Sequence, residues 1–169
     1  MKKMNARMIA YLGVLVAAEI VLSRFLSINA WNIKIGFNFV PIVIAAMLFG
    51  PLPAAAVAAM GDFLGAVLFP IGPYFPGFTL TAFCTGLVFG FFLHEKRTPG
   101  RVLAAVAINQ LVFSLLLNSL WISILYGSPF LPLLSTRIIQ CAVLAPVQFV
   151  MIVAINRVLS QTRLMSIMA

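Results

Sequence analysis

The feature that most constrains this sequence is a succession of apolar segments, each about as long as a bilayer is thick, with few charges inside them. Hydrophobic residues make up 63% of the 169 positions and charged residues 8%, whereas a soluble domain carries about a quarter charged residues. So few charges cannot cover a water-exposed surface, and most of the chain must therefore face lipid. The net charge of +8 does not indicate nucleic-acid binding, because the basic residues fall in short connectors beside the lipid headgroups.

The apolar segments predict six transmembrane helices. Each needs about 20 mostly apolar residues to cross the hydrocarbon layer, and Gly, Pro and charged residues separate the segments. The predicted helices cover approximately 7–26, 33–49, 54–69, 78–93, 102–126 and 135–159. Residues 70–77 form a Pro-rich loop that cannot be regular helix, since proline lacks an N–H and fixes φ. The predicted fold is all-α, a single six-helix membrane domain over residues 1–169.

The basic residues predict the orientation of these helices. Six spans place both termini on one side, with the 50–53 turn and the 94–101 connector, and eight of the 11 Lys and Arg residues fall there. Because cytoplasmic segments carry the excess of basic residues, we predict that both termini are cytoplasmic. The linker after helix 1, the Pro-rich loop and the 127–132 turn would then face outward.

Five charged residues break the apolar pattern: Glu19, Arg24, Lys34, Asp62 and Arg137. Ionised groups at such positions usually face the protein interior or a watery cavity. Asp62, in the middle of helix 3, is either half of an ion pair with Arg24 or Arg137 or a ligand-binding carboxylate, and a pair that opens for a ligand would satisfy both. Glu19 is interpreted as a structural partner of one of the arginines. The three cations would attract an anion to an outward cavity, or would extend to the outer headgroups.

Amide and aromatic side chains indicate the same region. Gln110, Ser114, Asn118 and Trp121 recur at helical spacing and share one face of helix 5, which favours a bundle interior over lipid. Asn118 would hydrogen-bond a heterocycle edge or another helix, and Trp121 would stack on a ligand or belong to an interfacial aromatic belt. Four further aromatic residues crowd the predicted outer mouth, where flat rings suit a flat ligand: Phe37, Tyr74, Phe75 and Phe78.

Small residues suggest close helix contacts. Gly13 and Ala17 stand four apart in helix 1, and helix 3 has a line of small residues, Ala54, Ala58, Gly61 and Gly65. Such faces let backbones approach closely, either within the bundle or against another membrane protein.

The sequence lacks the groups that catalysis would need. There is no phosphate-binding loop G-x-x-x-x-G-K-[ST], no metal-ligand cluster, and a single histidine, His94, in a connector. We therefore predict a binding protein that is not an enzyme and needs neither metal nor cofactor. If uptake requires energy, a partner must supply it.

The chain resembles the folate-specific substrate-binding subunit (S component) of energy-coupling-factor vitamin transporters. The resemblance covers nearly the whole chain, and its most distinctive part is the Pro-Gly-aromatic loop. The matching segments are LSRFLSIN at 22–29, KIGF at 34–37, FVP at 39–41, GD at 61–62, FPIGPYFPGFT at 69–79 and LNSLW at 117–121.

This resemblance implies a multi-pass protein of a bacterial cell membrane that binds folate from outside. Delivery would require a transmembrane coupling (T) subunit and two cytoplasmic ATPases. Gly13 and Ala17 occupy the family's Ala-x-x-x-Ala docking motif for the T subunit, with glycine replacing the first alanine. Asp62 and Asn118 would meet the pterin, and Arg24, Lys34 or Arg137 the carboxylates of the glutamate tail. The stacking candidates are Phe37, Tyr74, Phe75, Phe78 and Trp121. The alternatives are another vitamin, such as riboflavin, thiamin or pantothenate, or an autonomous carrier.

Overall fold

The computed structural model describes residues 5–30 and 33–161, and the side chains of these residues except 28–35. As predicted, the described part is a bundle of six helices. Five are long and apolar enough to cross a membrane, and the second is shorter. The helices are α1 (Ala6–Arg24), α2 (Phe39–Phe49), α3 (Pro51–Leu68), α4 (Pro76–Leu93), α5 (Pro99–Tyr126) and α6 (Phe130–Gln161).

The connections between helices alternate between two ends of the bundle. At one end, Asn156 of α6 donates a hydrogen bond to the carbonyl of Arg97, between α4 and α5, at 3.4 Å. We call the opposite end, which holds the α1–α2 linker, residues 69–75 and residues 127–129, the loop end. That the loop end faces outward, with both termini cytoplasmic, stays a prediction.

The predicted second helix begins too early in the sequence. Residues Ile28–Ala30 (β1) and Ile33–Ile35 (β2) form an antiparallel hairpin in which Ile28 lies opposite Ile35 and Asn29 opposite Lys34. The β-branched isoleucines of β2 favour a strand, although their apolar character extended the predicted helix back to residue 33. The helix itself starts at Phe39 and has 11 residues, which span roughly 16 Å, about half of the hydrocarbon layer.

Three helices start two or three residues earlier than predicted, each at a proline, and α6 starts five residues earlier, at Phe130. Pro51, Pro76 and Pro99 occupy the first turns of α3, α4 and α5. Proline is favoured there because the missing N–H has no partner inside the helix. The predicted 50–53 turn is consequently the single residue Gly50, whose φ of 91° lies in the left-handed region that favours glycine. The Pro-rich loop is outside regular secondary structure from Phe69 to Phe75, largely as predicted.

Helix α5 is not α-helical throughout. Residues Asn109–Leu117 form a π-helix between two α-helical segments. This segment packs against α6, where the Cys141 thiol lies 3.4 Å from the Gln110 main-chain carbonyl and 3.8 Å from the Ser114 hydroxyl. Gln110 is buried, as expected for a polar residue in a bundle interior.

The core lies around α2 and the small residues of α3. Seven of the 11 residues of α2 are buried, as expected for a helix that is apolar on every side. Ala54 and Ala58 of α3 are fully buried, so the predicted small face of helix 3 packs inside the bundle. A Cβ atom on Gly86 of α4 would lie 2.6 Å from the Ala54 carbonyl oxygen. Because Gly86 has no side chain, α3 and α4 can approach closely.

Arg97 links α2, α4 and α6 at the end opposite the loop end, where its main-chain carbonyl accepts the hydrogen bond from Asn156 of α6. Its Nη2 donates to the Met47 carbonyl of α2 at 2.7 Å and its Nε to the Leu93 carbonyl of α4 at 3.2 Å. Burial lowers the pKa of Arg97 from its usual value, but guanidinium remains protonated in proteins. These charge-assisted bonds satisfy carbonyls at two helix C-termini that have no partner within their own helices.

We predict that Arg97→Ala lowers the midpoint of thermal unfolding in detergent. Each lost hydrogen bond to a charged group corresponds to about 1.5–3 kcal/mol. Lys96→Ala, at the exposed neighbouring position, is the matched control and should leave the midpoint nearly unchanged. An equal effect of the two substitutions would show that Arg97 acts only through its charge.

Candidate ligand-binding site

A cavity of about 580 Å³ occupies the loop-end half of the bundle. All six helices and the Pro-rich loop supply residues to its wall. The lining residues are Glu19, Arg24, Asn38, Ile42, Asp62, Ala66, Ile71, Gly72, Pro73, Tyr74, Phe75, Phe78, Thr81, Ala82, Thr85, Asn118, Ile122, Leu125, Tyr126 and Arg137. The short α2 makes room for the cavity, because the helix begins only at Phe39 and places Asn38 and Ile42 in the wall.

Seven of the ten residues predicted to bind a ligand line this one cavity: Arg24, Asp62, Tyr74, Phe75, Phe78, Asn118 and Arg137. The decisive three are Asp62, Asn118 and Arg137, which lie on α3, α5 and α6. Their convergence means that charged, amide and aromatic groups share a single hollow.

The other three predicted residues lie elsewhere. Phe37 is 43% exposed and does not belong to the cavity wall. Trp121 lies behind the wall: its ring centroid is 5.5 Å from that of Phe75, and its indole N–H donates to Thr81 at 2.9 Å. Trp121 therefore supports the cavity from behind. The side chain of Lys34 lies outside the described residues.

Gly77 lets the aromatic rings of Phe75 and Trp121 pack closely against the backbone of α4. A Cβ atom on Gly77 would lie 2.6 Å from the Phe75 ring and 2.7 Å from the Trp121 ring. The rings therefore pack where a side chain would otherwise stand. Phe75 also contacts Phe78 edge-on, with ring centroids 6.2 Å apart. Phe75 therefore packs against both Phe78 and Trp121, and Phe75 and Phe78 line the cavity.

The ionic groups of the cavity are two carboxylates and two guanidiniums. Glu19 and Arg137 are almost fully buried, with 2% and 5% of their surface exposed, while Arg24 and Asp62 are half-buried. Glu19 packs against Gly61, and Arg24 packs against Gly65. The sequence predicted three uncompensated cations, but two carboxylates balance the two arginines among the residues whose side chains are described.

The residues that carry these charges lie at different depths along their helices. Asp62 lies six residues, about 9 Å, from the loop-end terminus of α3, and Arg137 lies about 10 Å into α6. Glu19 is roughly 8 Å from the end of α1, whereas Arg24 is its last residue. The long side chain of Arg24 nevertheless places its guanidinium beside Gly65 and 3.4 Å from the Asp62 main-chain carbonyl, so the charge of Arg24 lies close to Asp62.

Asp62 is held by a hydroxyl group rather than by an arginine in the described part of the chain. Thr79 Oγ1 donates to Asp62 Oδ2 at 2.8 Å, and Tyr74 Oη lies 3.2 Å from the same threonine oxygen. Arg24 Nη2 donates at 3.4 Å to the main-chain carbonyl of Asp62 and leaves the carboxylate to other partners.

Sequence reasoning missed several polar residues of the wall. Thr81 and Thr85 stand four apart on α4, which places them on one face, and both line the cavity. Two threonines on one face of a largely apolar helix could have indicated these positions from the sequence. Asn38 and Tyr126 lie at helix ends, where no sequence pattern distinguished them. Glu19, which we interpreted as structural, also belongs to the wall.

The predicted docking residues face away from the bundle. Gly13 and Ala17 are exposed on α1, and no heavy atom outside the helix lies within 4 Å of the position that a Gly13 Cβ would take. The two residues leave a smooth strip on the surface of the described structure.

Comparison with known proteins agrees with this geometry. Residues 3–162 match the family model described as ECF-type riboflavin transporter, S component. The chain is 39% identical over 167 residues to the folate transporter FolT of Clostridium novyi, covering 98% of this chain and 96% of the relative. It is 32% identical to FolT of Leuconostoc mesenteroides over 153 residues, covering 86% and 82% of the two chains.

A solved structure shares the fold. The crystal structure of FolT bound with folic acid superposes with a TM-score of 0.88 at 34% identity, covering 95% of this chain and 98% of that one. Sequence and structure thus agree over almost the full length of the chain. The chain is a multi-pass membrane protein that belongs to the S-component family of ECF transporters, with FolT folate transporters among its relatives.

Proposed function

We propose that this chain binds folate in the loop-end cavity and delivers it across a bacterial cell membrane together with a T subunit and two ATPases. The observation that carries the proposal is the convergence of Asp62, Asn118, Arg24 and Arg137 on one aromatic-walled cavity. The similarity to FolT of C. novyi and to the folic-acid-bound structure supports folate as the ligand.

The charged groups of the cavity suggest which parts of folate they meet. The pterin ring presents an amino group and a ring N–H side by side, which suit the two oxygens of a carboxylate such as Asp62. The glutamate tail carries two carboxylates, and the cations of the cavity wall that could meet them are Arg24 and Arg137. Lys34 is a further candidate for the tail.

The aromatic wall fits the flat part of the ligand. Phe75 and Phe78 line the cavity, and Trp121 packs against the outer side of Phe75. Offset or edge-on contacts of aromatic rings add roughly 0.5–1.5 kcal/mol beyond simple burial. Asn118, with two donors and one acceptor, would complete the recognition of a pterin edge.

Riboflavin is the second candidate, because the matching family model is described by that vitamin. Riboflavin has no carboxylate to pair with the guanidiniums of Arg24 and Arg137 in the cavity wall. Calorimetric titration of the purified protein with folate, reduced folates and riboflavin separates the two candidates. We expect folate or a reduced folate to bind with a dissociation constant below about 1 µM. Tight binding of riboflavin alone would refute the proposed substrate.

Asp62→Asn tests the pterin contact. We predict at least a tenfold loss of folate affinity, because the amide keeps the shape of the carboxylate but replaces one acceptor with a donor. The midpoint of thermal unfolding should stay close to that of the parent protein. Glu95→Gln, on the exposed connector at the other end of the bundle, is the control. Unchanged folate affinity in Asp62→Asn would assign the carboxylate a structural role.

Arg24→Gln tests where the tail lies. Pteroate lacks the glutamate and keeps the pterin, so loss of a cation that binds the tail should weaken folate at least tenfold and leave pteroate unaffected. Lys34→Gln and Arg137→Gln should be measured with the same two ligands. If all three variants weaken both ligands equally, the cations do not recognise the tail.

The exposed strip on α1 is the proposed contact for the T subunit. We predict that Ala17→Leu reduces folate uptake by cells and co-purification of the T subunit, while binding by the isolated protein is retained. The added bulk would separate surfaces that must approach closely. Ala154→Leu adds the same bulk at an exposed position of α6 and should be silent. Folate uptake by cells that lack the ATPases would contradict the proposed requirement for these partners.

A further inference from the structure

Thr79 connects the Asp62 carboxylate to the Pro-rich loop. It lies in the first turns of α4, where its hydroxyl donates to Asp62 Oδ2 at 2.8 Å and lies 3.2 Å from the hydroxyl of Tyr74. A threonine hydroxyl has one proton. Because that proton goes to Asp62, Tyr74 must be the donor in the second contact. The chain of bonds therefore runs from Tyr74 through Thr79 to Asp62.

The position of Thr79 separates it from the residues that would touch a ligand. Asp62 and Tyr74 line the cavity, and Thr79 does not. Its hydroxyl binds one oxygen of the Asp62 carboxylate, and Asp62 itself lines the cavity in which a ligand would bind. Thr79 is half-buried, so its hydrogen bond to Asp62 is partly shielded from water.

We propose that Thr79 is a positioning residue, which fixes the Asp62 carboxylate for the ligand and ties the Pro-rich loop to it. The side-chain torsion that turns an aspartate carboxyl group is broad and has no sharp preferred angle. A hydrogen bond to one oxygen restricts that rotation before the ligand arrives. Pre-ordering of this kind raises affinity, because less freedom is lost on binding.

The same hydroxyl sets the place of the loop. Tyr74 packs edge-on against Phe63 of α3, with ring centroids 5.7 Å apart, and its phenol group ends the hydrogen-bonded chain. A ligand that engages Asp62 polarises the Thr79 bond and, through it, the Tyr74 bond. The loop that forms one wall of the cavity is thereby linked to occupancy of the carboxylate.

This inference rests on the proposed function, and its test uses folate binding by the purified full-length protein. Thr79→Val removes both hydrogen bonds and keeps the branched shape, and Thr79→Ser keeps the hydroxyl. We expect Thr79→Val to weaken folate binding about tenfold and Thr79→Ser to restore most of the affinity. Thr98→Val, an exposed threonine before α5, is the matched control. Thr79→Ala serves if Thr79→Val does not fold.

The decisive measurement is a double-mutant cycle with Asp62→Asn. If Thr79 acts through Asp62, Thr79→Val should have little further effect on affinity in the Asp62→Asn background, because the two losses are coupled. Tyr74→Phe removes only the link to the loop and should raise the rate of folate dissociation more than Thr79→Ser does.

Additive losses in the cycle, or failure of Thr79→Ser to restore binding, would overturn the positioning role. Unchanged affinity in a folded Thr79→Val protein would overturn it as well. If the parent protein itself does not bind folate, the failure lies with the proposed function, whereas these outcomes in a folate-binding parent protein concern Thr79 alone.

Discussion

The bundle depends on how little side-chain volume α3 presents to α1 and α4. Towards α1, Gly61 and Gly65 leave space into which the charged ends of Glu19 and Arg24 fold. Towards α4, Ala54 meets Gly86 closely enough that no side chain could stand between the backbones. In lipid, where apolar surface gains nothing from leaving water, this close contact is a main source of helix association. It also lets ionic groups turn inward, and so makes a polar cavity compatible with an apolar exterior.

The short length of α2 is the second feature on which the cavity depends. A helix of 11 residues cannot cross the hydrocarbon layer, so the chain from β2 to Asn38 completes the path at the loop end. Such non-helical backbone is tolerated at membrane depth where it is buried in protein or lines a cavity. The strands of the hairpin pair with each other, and Asn38 lies in the cavity wall. The cavity thus exists because one helix stops short and five longer helices surround it.

The parts of this architecture that the sequence predicted are those with a strong local signal. Asp62 and Arg137 stood out because an ionised group in an apolar segment is costly unless it faces a cavity, and both line it. The start of α2 was wrong because apolar β-branched residues suit a buried strand as well as a helix. The π-helical segment of α5 has no recognised sequence signature and was not predicted; within α5, Asn118 lines the cavity while Gln110 and Ser114 contact Cys141 of α6. Thr79 could not be identified from sequence, since its importance comes only from its distance to Asp62 across two helices.

The choice of ligand depends on a few side chains rather than on the fold. One family model, described by riboflavin, covers residues 3–162, while relatives with the same fold are folate transporters, as expected when function resides in sites carried by a shared scaffold. In this chain the guanidiniums of Arg24 and Arg137 line the same cavity as the carboxylates of Glu19 and Asp62. A ligand that uses both kinds of group needs hydrogen-bond donors for a carboxylate and negative charge for a guanidinium. A pterin with a glutamate tail carries both. A flavin with a neutral ribityl chain has no negative charge to offer, so the charged groups of the wall favour folate over riboflavin.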